Sequence, residues 1–519
     1  MLQQQHLLTG LITYSIAKER EDNVLHQLGY FDQRALFFSR LNEKVPWMKR
    51  IVAHHLNLGS PQQCHVAGSE DWIHGSFNVC VPIRIDNWCH RKQPGHRVML
   101  RFPLPYRLGE TFNPGNCNEK LRCEAGTYAW LRQNCPNIPI PQLYGFGVST
   151  GESFTQIENL PFFTRSFNAL RRWCLSVAGL EVPSCYALHN RPEPHQAEVG
   201  YLLIQYIEES QGTMLSNTWL DNQLDSTLRT NFFRGLSQIL LTLHQTSLSG
   251  IGSFVIDDKG YLRLNNRPLT MEIHMLENEA IPTDISRNYT YSTVDAYTGD
   301  LLRIHDSRLR HQPNAVNNVD DCSTQMSTLA VMRGILPISF SREFHRGPFT
   351  FSFTDLHQSN IFVDSNWNIT CLVDLEWACS RPIEMIELPY WLTGKGVDEI
   401  DAGEYDVRRR ELMDILVLEE KNCPGMVPRL SDVFEKTWAK GIFWITLGLS
   451  SPSGLFTIFK DHICPGFYSD QIDIGDIAFF WTKDAPNFIA DKVADKKDYD
   501  HDLQLAFTSP QTLSPASLS

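Results

Sequence analysis

A chain of 519 residues exceeds the usual size of one compact core, so at least two lobes are expected. Its 42% hydrophobic and 20% charged residues are those of a folded protein. The net charge of −13 argues against a sequence-independent grip on nucleic acid, which needs clustered Lys and Arg to displace counterions.

Thirteen cysteines are scattered without a C-x-x-C pair, which points to reduced thiols rather than a disulfide framework or a zinc site. There is no run of eighteen apolar residues, so no membrane-spanning helix and no membrane partner are expected. The start, MLQQQHLLTGLITYSIAKERED, lacks the basic region of a secretion signal. The expected location is cytoplasmic, with a mitochondrial-type leader as the alternative.

In chain order, residues 1–60 read as a helical extension, with apolar residues of LHQLGYFDQRALFFSRL at three- and four-residue intervals. Residues 61–205 turn strand-like in NVCVPIRI and RVMLRFPL, with a hairpin tip at Arg91-Lys92-Gln93-Pro94-Gly95. Within them, 119–134 predicts an amphipathic helix closed by Pro136, and 150–197 reads as a low-periodicity insertion. YLLIQYI at 201–207 predicts a buried strand. Residues 206–480 then open with the clearest helix, 226–245, capped by Asp225 or Ser226. A stretch at 265–345 reads as an insertion, with helices over 292–310 and 320–336. The end, 490–519, has the composition of a disordered tail.

The chemistry concentrates at 353–376. Asp355-Leu356-His357-Gln358-Ser359-Asn360 is followed by an apolar strand, a turn, a second strand, and Asp374-Leu375-Glu376. A strand–turn–strand unit returns Asp374 to the D-x-x-x-x-N loop. Phosphoryl transfer requires one carboxylate to orient an acceptor hydroxyl and take its proton. It also requires oxygen ligands for magnesium bridging the nucleotide phosphates. Asp355 is assigned as base, with Asn360 and Asp374 as metal ligands.

FTDLHQSNIFVDSNWNITCLVDLEWA resembles the signature of the aminoglycoside phosphotransferase/choline kinase-like family, in its fungal branch; the likeness extends weakly over about 64–475. It implies an α+β, bilobal protein-kinase-like fold, with a small β-rich N-lobe and a larger, mainly helical C-lobe. It also implies ATP and Mg2+ as cofactors and a small-molecule hydroxyl as acceptor. Gly75 and Ser76 then fall in a phosphate-covering loop, and Gln205 and Ile207 at the inter-lobe hinge beside adenine. Arg101 stands where the family places a phosphate-binding Lys, with Glu124 as its partner, and Phe353 stands where the family has His. These two departures motivate an alternative, a catalytically inactive kinase-fold binding or scaffold protein. Polar groups for the acceptor are sought in the 265–345 segment, at Asp300, His305, Asp306 and Arg308. No protein partner is indicated.

Overall fold

The structure, a computed structural model, describes residues 4–88, 95–189, 199–423, 425, 427–467 and 477–508. It is a mixed helical and β protein. An eight-stranded sheet has the spatial order Cys64–Val66, Asn78–Ile85, Arg97–Pro103, Tyr201–Gln205, Leu143–Gly147, Ser153–Gln156, Tyr186–Leu188, and Ile73–His74 also pairs with Asn78–Ile85. Every pairing in it is antiparallel.

The period-two alternation of side chains gives this sheet two different faces. Val79, Val81, Ile83, Leu100 and Phe102 pack with Trp47, Met48 and Ile51 of the Val45–Leu56 helix. Leu202 and Ile204 point the other way, into the core shared with the Asn116–Asn134 helix. Arg101 lies between Leu100 and Phe102 and opposite Leu202 in the ladder, so it is directed at that helix. Register alone therefore carries a buried cation to the helix that bears Glu124.

The same helix is held close by a glycine. A Cβ on Gly126 would stand 2.2 Å from the Phe254 carbonyl oxygen and 2.5 Å from its carbon, so only glycine lets the helix lie on the Ser253–Ile256 strand.

The segment around the D-x-x-x-x-N motif is closed on itself. Phe349–Phe353 pairs antiparallel with Ala378–Pro382, and Thr354 N donates to Trp377 O at 2.9 Å just beyond the last pair. Inside that loop Ile361–Val363 pairs with Ile369–Leu372, and Thr213–Met214 adds a third strand.

The helices expected at 119–134, 226–245, 292–310 and 320–336 appear as Asn116–Asn134, Ser226–His244, Val294–His311 and Val319–Ser339. Asp225 is the cap of the second, accepting from Thr227 N and Leu228 N at 2.8 and 3.2 Å. The hairpin-tip residues 91–94 lie outside the described residues.

Four expectations change. The chain from 490 is no disordered tail as far as Thr508: Ala485–Thr508 is helical, and residues 509–519 lie outside the described residues. Tyr499, Leu503 and Phe507, four residues apart, bury one stripe against Leu7, Ile12, Ala17 and Val24. The Asp- and Lys-rich remainder masks that stripe in composition. The 1–60 segment opens with a hairpin, Gln5–Leu7 with Gly10–Ile12. The 150–197 stretch is not purely an insertion, since Ser153–Gln156 and Tyr186–Leu188 extend the sheet and flank a Phe162–Val177 helix. Finally, 250–290, whose sequence reads as strand and loop, also contains a helix, Met271–Asn278.

Among the described residues the cysteines are free thiols, and no helix is long and apolar enough to cross a membrane.

Candidate active site

Five ionisable side chains meet where the sheet, the Asn116–Asn134 helix and the 374–376 segment come together. Arg101 Nη1 donates to Glu124 Oε1 at 2.6 Å, and its Nη2 reaches Asp374 Oδ1 at 2.5 Å and Glu376 Oε2 at 2.6 Å. Lys120 Nζ lies 2.7 Å from the same Glu376 oxygen and 3.6 Å from Glu124 Oε2. Asn78 joins them, its amide donating to Glu376 at 2.7 Å and its oxygen accepting from Lys120 at 2.7 Å. Arg101, Lys120, Glu124 and Glu376 are buried, whereas the Asp374 side chain is 46% exposed.

Two cations against three carboxylates leave the cluster one positive charge short. Burial raises the Glu124 carboxyl against the pull of Arg101 and Lys120. Glu376 is also buried, but Arg101 and Lys120 together outweigh that cost and hold it below the usual carboxylate range. The solvent-facing corner of the cluster is Asp374. That residue has a left-handed backbone, φ +56°, at the exit of the second strand.

Asp355 and Asn360 adjoin this cluster through the strand–turn–strand unit. Asn360 Nδ2 donates to Asp355 O at 2.9 Å and to Asp355 Oδ2 at 3.3 Å. Val373 N donates to Asn360 O at 2.9 Å, which sets Asp374 directly after the residue bonded to Asn360. Burial pushes the Asp355 carboxyl up to about 7, aided by Glu376, Glu272 and Asp374, while the Asn360 amide opposes the rise. An aspartate held there exchanges its proton near neutrality, as a general base must.

At Phe353, where the resemblance implied a histidine, no polar side chain stands, and the loop is tied by other bonds. Thr354 donates from both N and Oγ1 to Trp377 O at 2.9 Å, and Trp391 Nε1 donates to Leu356 O at 2.9 Å. His357 accepts from Ser359 N at 3.4 Å and so caps the short turn at Gln358–Asn360, a local structural task. Trp391 is a core residue, packed among Trp219 and Phe232.

The remaining sequence-selected residues sit at the margin. Gly75 and Ser76 form the exposed turn between Ile73–His74 and Asn78–Ile85, closed by Gly75 N donating to Asn78 O at 3.0 Å. That turn leads straight into Asn78 and the charge cluster. Gln205 ends its strand opposite Val98, three ladder positions from the Leu202–Arg101 pair, and Ile207 follows it. Gln205 Oε1 accepts from Gln142 N at 3.2 Å.

Asp300, His305, Asp306 and Arg308 are each engaged by other groups of the protein. Asp300 accepts from Tyr291, His305 Nε2 bonds Leu449 O, Asp306 accepts from Trp481 and Arg333, and Arg308 binds Gln312 and Pro452 O. They bind their helix into the core. From the 265–345 segment, Glu272 adds to the rise of the Asp355 carboxyl.

Three residues escaped the sequence reading or were left undecided there: Lys120, Asn78 and Glu376. The signal for Lys120 was its four-residue spacing from Glu124 on a helix. Beside Asp355 a cavity of about 80 Å³ is lined by Thr354, Asp355, His357, Glu387 and Tyr390 among apolar neighbours. Burial pushes Glu387 up to about 7, against the pull of Arg381.

The charge cluster can compensate a cation or engage an anion carried with one. Asp374 offers a half-exposed carboxylate, and Asn360 commits its amide nitrogen to Asp355, while its oxygen, the donor atom for a metal, accepts a long bond from Ser359 Oγ at 3.5 Å. Hard oxygen donors of this kind suit magnesium, which takes few protein ligands and completes its shell with phosphate and water. Among the described residues no group of three His, Cys, Asp or Glu side chains forms a closed metal cage.

No family profile matches the chain, and no curated protein matches it. Among solved structures, an ethanolamine kinase of Plasmodium vivax aligns over 86% of this chain and 89% of its own, at 11% identity and a TM-score of 0.35. That likeness is too loose to carry an argument.

Proposed function

We propose that the chain is a bilobal, protein-kinase-like enzyme that transfers the γ-phosphoryl group of ATP, with magnesium, to a hydroxyl of a small molecule. The observation that carries this reading is the placement of Asp355, Asn360 and Asp374 at one corner of a buried Arg101–Glu124–Lys120–Glu376 cluster.

Bound magnesium–ATP supplies the phosphoryl group and neutralises charge on it. Asp374 and the Asn360 oxygen would hold the metal. Arg101 is the cation for the nucleotide phosphates, kept in place by Glu124 and Glu376 when its hydrogen bond to Asp374 is released. Gly75 and Ser76 cover the phosphates, and the backbone at Gln205 and Ile207 meets adenine. Asp355 orients the acceptor hydroxyl, which enters from the cavity of Thr354, Glu387 and Tyr390, and accepts its proton during direct in-line transfer. On this reading residues 61–205 form the smaller lobe and 206–480 the larger.

A second reading, an inactive kinase-fold binding or scaffold protein, is favoured by one observation. The Arg101 guanidinium already occupies the Asp374 oxygen that the metal needs.

The test uses the full chain with magnesium, γ-labelled ATP and a panel of metabolite alcohols. Label is expected on an acceptor with the wild type and not with Asp355→Asn. Equal transfer by Asp355→Asn would remove Asp355 from the role of base. No rise in melting midpoint with millimolar magnesium–ATP would favour the scaffold.

A further inference from the structure

Among the described helices of ten residues or more, Phe162–Val177 differs from the others in burying none of its residues. Phe163, Phe167, Leu170 and Val177 are exposed by 58–85%, and Trp173 by 63%. Their spacing sets them on one side. At 3.6 residues per turn, Phe162, Trp173, Val177, Leu170, Phe163, Cys174 and Phe167 cover an arc of about 140°. Arg165, Asn168, Arg172 and Leu175, on the far side, are partly covered, and Arg172 donates to Pro183 O. The helix thus rests its polar side on the protein and turns its aromatic side outward.

We infer that this helix is a membrane-surface anchor, lying in the plane of a bilayer that carries anionic lipids. Three features favour a lipid surface over a protein partner. The helix carries Arg165, Arg171 and Arg172 and no acidic residue, in a chain of net charge −13. Among the described residues no carboxylate pairs with those arginines. Arg171 borders the aromatic arc, where a lipid phosphate would meet it, while Phe and Trp supply the side that enters the acyl boundary.

A second copy of the helix is the poorer occupant. The stripe at 163, 167, 170, 174 and 177 has the spacing of a coiled-coil seam, but sixteen residues give little more than two heptads, short of the three to four that such a seam needs. Its arc is also wider than a two-residue seam, and a copy would offer arginines only other arginines. The helix is too short and too charged to span a bilayer, so the absence of a spanning segment does not bear on it. This inference is independent of the proposed activity.

The test is flotation of the full chain with phosphatidylcholine vesicles, with and without about one-third phosphatidylserine. Binding to the anionic vesicles is expected, with at least tenfold weaker partition for Phe163→Ser/Phe167→Ser/Trp173→Ser and a several-fold loss for Arg171→Gln. These side chains are exposed, so the variants should melt with the wild type.

A polarity-sensitive dye on Cys174, an exposed thiol within the arc, gives a reading that needs no apolar substitution. Its emission should shift to the blue with anionic vesicles and not with protein alone at higher concentration. No vesicle binding, binding unchanged by the triple substitution, or an unshifted dye would overturn the inference. So would a wild-type dimer that the triple substitution dissociates, which would assign the face to a second copy.

Discussion

Replacing Asp355 with Asn should remove phosphate transfer and, in the same protein, raise stability. The wild-type carboxyl is displaced from the ordinary value near 3.8 to about 7, chiefly by burial and then by Glu376, Glu272 and Asp374. A carboxyl raised on folding favours the protonated native state. Its charge costs nothing below the unfolded value, costs progressively more as pH rises, and costs its full amount above the folded value. Each pH unit in that window is about 1.4 kcal/mol, so the penalty is about 1.5 kcal/mol at pH 5 and about 4 kcal/mol at pH 8. Asparagine keeps the shape and carries no charge. The Asp355→Asn variant should therefore be more stable than the wild type by up to those amounts, with the gap widening between pH 5 and pH 8. Urea unfolding of both proteins at the two pH values, without nucleotide, reads this directly. A gap that stays constant with pH, or an Asp355→Asn variant less stable than the wild type at pH 8, would refute the electrostatic account of Asp355.

Lys120→Met should cost about 3–5 kcal/mol, because it leaves Glu376 and Glu124 with only Arg101 in a buried cluster; denaturant titration measures it. Gly126→Ala should destabilise by about 1–3 kcal/mol despite the higher helix propensity of Ala, since its methyl would strike the Phe254 backbone. Calorimetry would reveal an unchanged midpoint if the helix and strand can separate freely. Deleting the chain after residue 484 should expose Leu7, Ile12 and Val24 and lower the melting midpoint by several degrees. An unaltered midpoint would mean the C-terminal helix contributes no packing.

The parts of the candidate site that were legible in the sequence are those fixed by local geometry. Asp355, Asn360 and Asp374 are joined by one strand–turn–strand unit, whose apolar strands and turn can be read directly. The Arg101–Glu124 contact follows from a strand and the next helix, which is buried on nearly every side. Lys120 was not legible because its partners Asn78 and Glu376 come from the start of a strand and from a turn distant in sequence, and a lysine on a helix ordinarily faces water. Glu272 was hidden in a segment read as strand and loop, and the Ala485–Thr508 helix by its abundance of Asp and Lys. The aromatic stripe of Phe162–Val177 is legible as three- and four-residue spacing, but it falls in a stretch that reads as a low-periodicity insertion, and its residues turn outward rather than into the core.

The claim that one corner of this protein holds a nucleotide-bound divalent cation is most directly tested with Mn2+ in place of Mg2+. Free Mn2+ would be followed by electron paramagnetic resonance as ATP and protein are titrated together. The wild type should deplete the free signal beyond what ATP alone removes, and Asp374→Asn and Asn360→Ala should each lose that excess. A wild-type titration indistinguishable from ATP alone would contradict the account.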